Sequence, residues 1–377
     1  MQDSSLGRSS PLVPPLYQSS VYTLPDLDVL DRIMTGEAPG FIYARDGHPN
    51  ARMLADKLAE IEGAAWAVAC GSGMGAITAA LLATARQGDH IVASNRLYGK
   101  TTVLLDQELS NYGVKTTFVD ISDLNQVRTA LVQPSKVLLV ETISNPLLRV
   151  SDLIALADLA HDHDCLLAVD NTFATPVLCR PIEAGADIVV ESLTKMIGGH
   201  SDVTLGMACG TGELAPQVNQ IVSVWGLASN PFDCWLASRG LATLSLRMRA
   251  ASANAAALAD WLPQQSSVAG VVYPGRSDHP DHDLACHLLR DGFGSMLCFE
   301  LKGGREAVNQ FLRQAIGIPF SPSLGHTTTT CSHPATTSHR SVSPAERRRQ
   351  GIGDGLIRLS VGVEELETIK KELAKGL

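Results

Sequence analysis

From Arg52 onward, short unbroken apolar runs alternate with longer stretches in which apolar residues recur every three or four positions. The first pattern reads as strands buried on both faces, the second as helices lying over them. The spacing predicts helices over Arg52–Glu62, Ser72–Arg86, Thr101–Tyr112, Leu124–Leu131 and Asp152–Asp162. It predicts strands over Ala65–Ala69, His90–Ala93, Lys115–Val119, Val137–Glu141, Leu166–Asp170 and Asp187–Val190. Ser72 is a suitable N-cap, because its hydroxyl can accept a hydrogen bond from an unpaired amide of the first turn. Strands and helices in alternation predict an α/β fold around a mostly parallel sheet.

The pattern changes after Arg239-Gly240-Leu241. One long Ala/Leu/Arg helix is expected over Leu241–Trp261, then strands at Gly294–Leu301 and Leu356–Ser360 and helices at Arg305–Gln314 and Glu364–Ala374. The division expected is an arm (1–47), a large α/β domain (48–246) and a smaller C-terminal α/β domain (247–377). The arm is rich in Pro, Ser and Gly, which predicts an extended segment with short helices, of a kind that packs on a partner subunit. Ser321–Arg340 is polar and Thr-rich, and a loop of that length in a compact domain is commonly functional or mobile.

Composition narrows the function. The chain has 377 residues, 45% hydrophobic and 18% charged, enough for one large domain and a smaller one. A net charge of −9 gives nucleic acid no electrostatic footing. Its one basic block, Arg347-Arg348-Arg349, follows a helix start at Ser343-Pro344-Ala345-Glu346 and reads as a solvated helix face. No apolar stretch reaches the roughly 18 residues that span a bilayer, and the first residues lack the apolar centre of a signal peptide. Eight cysteines without a Cys-x-x-Cys pair read as reduced thiols in a cytoplasmic protein. His161-Asp162-His163-Asp164-Cys165 offers metal-ligating types, but residues two apart on a helix do not share a face, so no metal is expected there.

In open parallel sheets, ligands bind beyond the carboxyl ends of the strands. The first strand runs into Cys70-Gly71-Ser72-Gly73-Met74-Gly75, where glycines at a helix start let amides approach a phosphate. The second leads to Tyr98, either a ring-stacking residue or a rim tyrosine. Val137–Glu141 leads to Asn145-Pro146, where Asn145 is a turn former or a ligand contact. Leu166–Asp170 ends on an acid, which is costly after so apolar a run unless paired. The last strand delivers Ser192, Thr194 and Lys195, with a Gly-Gly-His turn behind. A phosphate anchor, a stacking ring, an acid for a protonated heterocyclic nitrogen and a lysine able to form a Schiff base together suit pyridoxal phosphate. A nucleotide-binding oxidoreductase built on Gly71–Gly75 is the rival of another class. Its third glycine falls one position early, and Lys195 and Asp170 are left unused.

These residues belong to motifs that, as a set, resemble the Cys/Met-metabolism family of pyridoxal-phosphate enzymes, the trans-sulfuration enzymes. The motifs run from Pro15-Leu16-Tyr17-Gln18-Ser19-Ser20 to Arg358-Leu359-Ser360-Val361-Gly362. Between them stand Tyr43-Ala44-Arg45, Ser72-Gly73-Met74, Leu97-Tyr98-Gly99, Glu141-Thr142, Asn145-Pro146, Asp170-Asn171-Thr172, Ser323-Leu324-Gly325 and His333-Pro334-Ala335. The resemblance implies an aspartate-aminotransferase-like (type I) large domain with a smaller C-terminal domain and an N-terminal arm. It implies that Lys195 carries the cofactor and moves protons, that Asp170 pairs with the pyridine nitrogen, and that Tyr98 stacks on the ring with Asn145 beside it. Ser72, Gly73, Met74, Ser192 and Thr194 would bind the phosphate. Tyr43 and Arg45 would reach it from a neighbouring subunit in a homotetramer of two catalytic dimers, with Tyr43 also near the substrate. Arg358, with Ser323 and Asn145, would hold the α-carboxylate of an amino-acid substrate.

The resemblance implies γ-elimination or γ-replacement on a homoserine- or homocysteine-derived substrate, as in cystathionine γ-synthase and γ-lyase. The motifs Pro231–Leu236 and Arg239-Gly240-Leu241 look like that branch. Methionine γ-lyase, acylhomoserine sulfhydrylase and cystathionine β-lyase are the alternatives. Two departures, Lys100 and the Thr327–Thr330 run, are expected near the far end of the substrate. Thr328 in place of a charged side chain weakens recognition of a distal amino group.

Overall fold

A computed structural model describes residues 9–340 and 342–377; the first eight residues of the expected arm lie outside it. Among the described residues the strands are β1 (Trp66–Cys70), β2 (His90–Ser94), β3 (Lys115–Val119), β4 (Val137–Glu141), β5 (Leu166–Asp170), β6 (Ile188–Glu191), β7 (Gly206–Gly210), β8 (Val268–Val272), β9 (Met296–Leu301), β10 (Thr330–Ser332) and β11 (Leu356–Ser360). The first seven form one sheet in the order β1-β7-β6-β5-β4-β2-β3, and the last four form another in the order β10-β11-β9-β8. Strands β2 to β6 pair in parallel, as the apolar runs predict. The sequence reading missed β7, which runs against both β1 and β6. That reversal leaves β1 pointing the same way as β2 to β6, so all six carboxyl ends open on one edge.

Strands β2 and β4 to β7 are buried on both faces, while the edge strand β3 is partly exposed, and the buried side chains divide by alternation. Leu138 and Val140 of β4, Leu167 and Val169 of β5, and Val189 of β6 enter one apolar cluster with Leu153, Leu156 and Ala160 of the helix Leu153–His161. Val137, Leu139, Ala168, Ile188 and Val190 enter the opposite cluster with the helix Gly73–Thr84. Each fully buried Leu, Ile or Val contributes about 1.5–3 kcal/mol, so the two clusters fix the strand register and with it the positions of the strand ends.

The second sheet is antiparallel throughout. It packs Phe299, Leu297 and Leu359 against Leu258, Phe311 and Leu373. The helix Leu244–Trp261 joins the two bodies. Its Leu244 and Met248 sit in the large-sheet core, and its Ala255, Leu258 and Ala259 sit in the small-sheet core.

Four expectations are corrected. The helix expected over Leu241–Trp261 is two, Pro231–Leu241 and Leu244–Trp261, separated at Ala242-Thr243. The helix expected over Thr101–Tyr112 carries a π-helical turn at Leu104–Glu108. Ser321–Arg340 is not wholly loop, since it contributes β10, which pairs with β11. Arg347 is not on a solvated face. Its guanidinium donates to the Val342 carbonyl, and its side chain is 13% exposed. No helix among the described residues is long and apolar enough to cross a membrane.

The arm is tied to its own chain at a few points. Asn50 accepts from the Tyr17 amide and donates to the Pro15 carbonyl, and the Trp235 indole donates to the Pro14 carbonyl. The short helix Leu27–Met34 buries none of its residues, and Leu12, Val13, Leu27 and Met34 stand exposed.

Candidate active site

Five of the six aligned strand ends, those of β1, β2, β4, β5 and β6, border a cavity of about 630 Å³. Its lining includes Ser72, Gly73, Met74, Tyr98, Asn145, Asp170, Ser192, Thr194, Lys195 and Arg358, residues separated by up to 286 positions in the chain. Of the thirteen site residues named from the sequence, Ser323, Tyr43 and Arg45 are not in that lining. Ser323 nevertheless touches Lys195, its hydroxyl lying 3.0 Å from Nζ. Tyr43 and Arg45 lie on the arm, away from their own chain's cavity. The Tyr43 ring is exposed, with the Arg45 guanidinium 5.1 Å from its centroid.

One end of the cavity is shaped for an anion. Ser72 caps the helix Gly73–Thr84 as the sequence predicts, its hydroxyl accepting from the Gly75 amide at 3.0 Å. The Ala76 amide is taken by the Ser72 carbonyl. The amides of Gly73 and Met74 are left without an acceptor among the described residues, at the positive end of a helix dipole. Glycine is required by close approach. A Cβ on Gly73 would lie 2.8 Å from that of Ser192, and one on Gly206 would lie 2.6 Å from the Gly73 nitrogen and closer still to the Ser72 carbonyl. Gly206→Ala is therefore expected to cost about 1–3 kcal/mol by overpacking against backbone. A lower midpoint in urea unfolding checks this, and an unchanged midpoint contradicts it. Thr194 is partly engaged, its hydroxyl donating to the Leu205 carbonyl and accepting from the Leu205 amide.

The other end is acidic. Asp170 ends β5, with one carboxylate oxygen accepting from the Thr172 amide at 3.0 Å. Burial raises the Asp170 carboxyl above its ordinary value, against the opposing pull of Thr172, so a cation opposite it is what restores full ionisation. Glu141 and Glu191 also line the cavity. Burial pushes both well above the usual carboxylate range, reinforced by Asp170 at Glu141 and by Glu62 at Glu191. Asn171 holds Glu191 through its amide, while its carbonyl accepts from Thr142. The sequence marked Glu191 in the same way as Asp170, by a charged residue ending an apolar run, yet no role was read from it.

Between the two ends stands Lys195. Burial, and then the nearby Arg358 guanidinium, lower its amine below the usual lysine value. Arg358 is 4% exposed and comes from β11 of the second sheet. It donates to Asn145 Oδ1 at 2.7 Å and to the Ser323 carbonyl at 3.3 Å, while its Nε is buried without a partner. A buried N–H of a guanidinium with no acceptor is costly unless a ligand supplies one.

These features fit pyridoxal phosphate. Two free amides and Ser192 suit its phosphate, Asp170 its ring nitrogen, the Tyr98 ring its face, and Lys195 its carbonyl carbon.

Lys100 and Thr327–Thr330 are corrected: neither lines the cavity. Lys100 faces solvent. Thr328 donates to His326 Nδ1, and Thr329 is bound to Glu364, which holds that run away. The cavity rim is instead made by Pro322, Thr336, Thr337, Ser338 and Arg340. A larger space of about 1120 Å³ adjoins it and shares Asn145 and Ser338. Two of its arginines are paired, Arg96 with Asp120 and Arg149 with Asp281.

Comparison with known proteins agrees with this geometry. Residues 2–377 match the family model described as Cys/Met metabolism PLP-dependent enzyme. The chain is 42% identical over 342 residues to an O-succinylhomoserine sulfhydrylase of Pseudomonas aeruginosa, covering 91% of this chain and 85% of that one. It is 40% identical over 369 residues to an L-methionine gamma-lyase of Fusobacterium nucleatum subsp. polymorphum, covering 97% and 93%. Its fold matches the crystal structure of cystathionine gamma synthase from Xanthomonas oryzae pv. oryzae in complex with cystathionine, with a TM-score of 0.91, 36% identity, and 99% and 95% of the two chains covered. A type I fold, a lysine and an acid at its strand ends, and similarity along nearly the whole length make this chain a pyridoxal-phosphate-dependent enzyme of the Cys/Met metabolism (trans-sulfuration) family.

Proposed function

We propose that the enzyme catalyses γ-replacement on an O-acylated homoserine whose acyl group ends in a carboxylate, with sulfide or a thiol as the incoming nucleophile. The Cγ–O bond to the acyl group breaks, and a Cγ–S bond forms. The observation that carries this reading is Arg340. It lines the cavity rim, is exposed, and has no ion-pair partner among the described residues. The acids in the lining, Glu141, Asp170 and Glu191, all come from strand ends at the opposite side. A distal carboxylate therefore meets a guanidinium, whereas cystathionine, whose far end carries an ammonium beside its carboxylate, finds no rim carboxylate for that ammonium. The Pseudomonas aeruginosa relative, an O-succinylhomoserine sulfhydrylase, supports the same substrate class.

Bound pyridoxal phosphate supplies the electron sink for the carbanion at the substrate Cα. The chain does the rest. Arg358 receives the α-carboxylate on its unpaired Nε, with Asn145 and the Ser323 carbonyl holding the guanidinium plane. Lys195 Nζ, kept below the usual lysine pKa, removes the Cα proton and moves it along the substrate. Ser323 steers Nζ through the hydrogen bond they share. Asp170 keeps a negative charge against the ring nitrogen, and Tyr98 covers the ring face. Gly73, Met74, Ser192, Ser72 and Thr194 bind the phosphate. Tyr43 and Arg45 act in the cavity of a second copy, within a homotetramer. Support for that arrangement is the exposed apolar arm on which they are carried.

The test is a substrate panel on the purified enzyme with pyridoxal phosphate: O-succinylhomoserine, O-acetylhomoserine, cystathionine and methionine, each with and without sulfide. The highest kcat/KM is expected for O-succinylhomoserine with sulfide. Arg340→Gln should lower that value about 10- to 100-fold, the loss of one charge-assisted hydrogen bond. The same variant should leave O-acetylhomoserine nearly unchanged. Faster turnover of methionine alone than of any acylhomoserine would overturn the reading, as would an equal loss on both acyl substrates in Arg340→Gln.

A further inference from the structure

The Gly-Gly-His turn after Lys195 and the Arg239-Gly240-Leu241 motif have no part in the chemistry above, yet they meet in space. They meet at Arg247, on the helix that joins the two bodies of the molecule. The Arg247 guanidinium donates to the carbonyls of Met196 at 2.5 Å, Ile197 at 3.0 Å and Gly240 at 2.7 Å, and its Nε donates to Thr243 Oγ1 at 3.0 Å. No carboxylate among the described residues is within ion-pair distance, and burial lowers its pKa with no compensating charge. A partly buried guanidinium committed to three carbonyls is an unusual expenditure of a cation, because neutral acceptors compensate its desolvation less well than a carboxylate.

The surroundings are shaped to permit it. A Cβ on Gly199 would fall on Arg247 Nη1, so that glycine makes room for the guanidinium. Gly199 also has φ +76, which suits glycine. A Cβ on Gly240 would lie 2.7 Å from the Ile197 carbonyl and closer to that of Gly198, so the second glycine lets the helix Pro231–Leu241 approach the turn. The carbonyls bound are those of the two residues directly after Lys195. On the other side Gly325 packs against the same backbone: a Cβ there would lie 2.6 Å from the Met196 nitrogen and 2.7 Å from the Lys195 carbonyl carbon. The lysine backbone is held from both sides, by Arg247 and by the turn of Ser323-Leu324-Gly325, whose first residue binds Nζ.

We propose that Arg247 is a positioning residue for Lys195, suspending the turn that carries the lysine from a fixed point on the helix Leu244–Trp261. It touches neither cofactor nor substrate and acts through the Met196 and Ile197 carbonyls. The proposal rests on Lys195 being the reactive lysine. Its effect is on the proton-transfer step, where a displacement of about 1 Å costs on the order of 100-fold, and not on the binding of substrate by Arg358.

Arg247→Gln is expected to lower kcat about 10- to 100-fold with KM within about threefold of wild type. Arg247→Lys, which keeps a cation and N–H donors, should recover part of the loss. Two readouts do not use turnover. Amide hydrogen exchange at 196–199 in the apoenzyme should quicken about tenfold or more in Arg247→Gln. Added pyridoxal phosphate should become borohydride-fixable on Lys195 more slowly than in wild type. Unchanged kcat with unchanged exchange at 196–199 would overturn the proposal, as would a kcat loss that Arg247→Lys shares in full. Should Arg247→Gln not fold, Thr243→Val removes the acceptor of Nε and the Thr243 hydroxyl's own bond to the Gly240 carbonyl, leaving the guanidinium bonds to Met196 and Ile197 in place. A kcat loss of several-fold with unaltered KM then supports the proposal, and wild-type kcat overturns it. Failure of borohydride to fix the cofactor on Lys195 of the wild-type enzyme would instead refute the assignment of Lys195 itself.

Discussion

Lys195→Ala is expected to abolish turnover, by at least about 10⁴-fold, while leaving a folded protein. Nζ has one hydrogen-bond partner, Ser323, and the lysine side chain belongs to no apolar cluster, so the fold loses little with it. The chemistry loses the group that attaches the cofactor and moves the proton. The pH profile follows from the lowered amine pKa. The neutral amine accumulates as pH rises through that pKa, at lower pH than for a surface lysine. A wild-type rate limited by the neutral amine therefore rises with pH through that range, and the variant shows no such limb. The measurements are product release, borohydride fixation of cofactor, and the urea midpoint. Activity within tenfold of wild type would end the assignment of Lys195.

Asp170→Asn is expected to lower kcat about 100- to 1,000-fold, the scale for removing one preorganised electrostatic contact from a buried site. Glu141 and Glu191 do not stand in for it. Glu141 already accepts from the Tyr98 amide and Glu191 from the Asn171 amide, and burial disfavours the ionised form of both. Stability should move the other way. The folded pKa of Asp170 is raised, so its contribution to apoprotein stability is fully present below the unfolded pKa and is lost as pH rises through the folded value. Asparagine removes that loss. The Asp170→Asn apoprotein should therefore unfold at no lower urea concentration than wild type at pH 8, even though its turnover is poor. A kcat within a few-fold of wild type, or a marked loss of apoprotein stability, would contradict the role given to the carboxylate.

Strands β2 and β4 to β6 were legible to within a residue because each is a mostly apolar run buried on both faces, whereas the edge strand β3, Lys115-Thr116-Thr117-Phe118-Val119, was legible from its β-branched and aromatic residues. Strand β7, Gly206-Met207-Ala208-Cys209-Gly210, was not. Glycine at both ends and no β-branched or aromatic residue within give it no strand signal, and what holds it as a strand is its pairing with β1 and β6. Lys195 and Asp170 were legible for a related reason: a charged group directly after a buried run must have a partner or a task. Arg340 and Pro322 carry no such mark. They reach the cavity rim because Ser321–Arg340 folds back through β10, and the same path takes Thr328 away. Arg247 is one more arginine on an Ala/Leu/Arg helix until Gly199 and Gly240 are seen to make space for its guanidinium.

The chain by itself determined what depends on neighbours in sequence: the parallel strands, the helix capped by Ser72, and the polar residues placed where apolar runs stop. Only the tertiary structure decided what depends on separate segments meeting. Arg358 arrives from the second sheet to sit by Asn145 and Lys195, Gly206 presses against the Ser72–Gly73 turn, and Arg247 holds the backbone beyond the lysine. The physical reason is one of range. Periodicity and capping act within a few residues, whereas the shape and charge of a cavity are sums over side chains that only packing brings together.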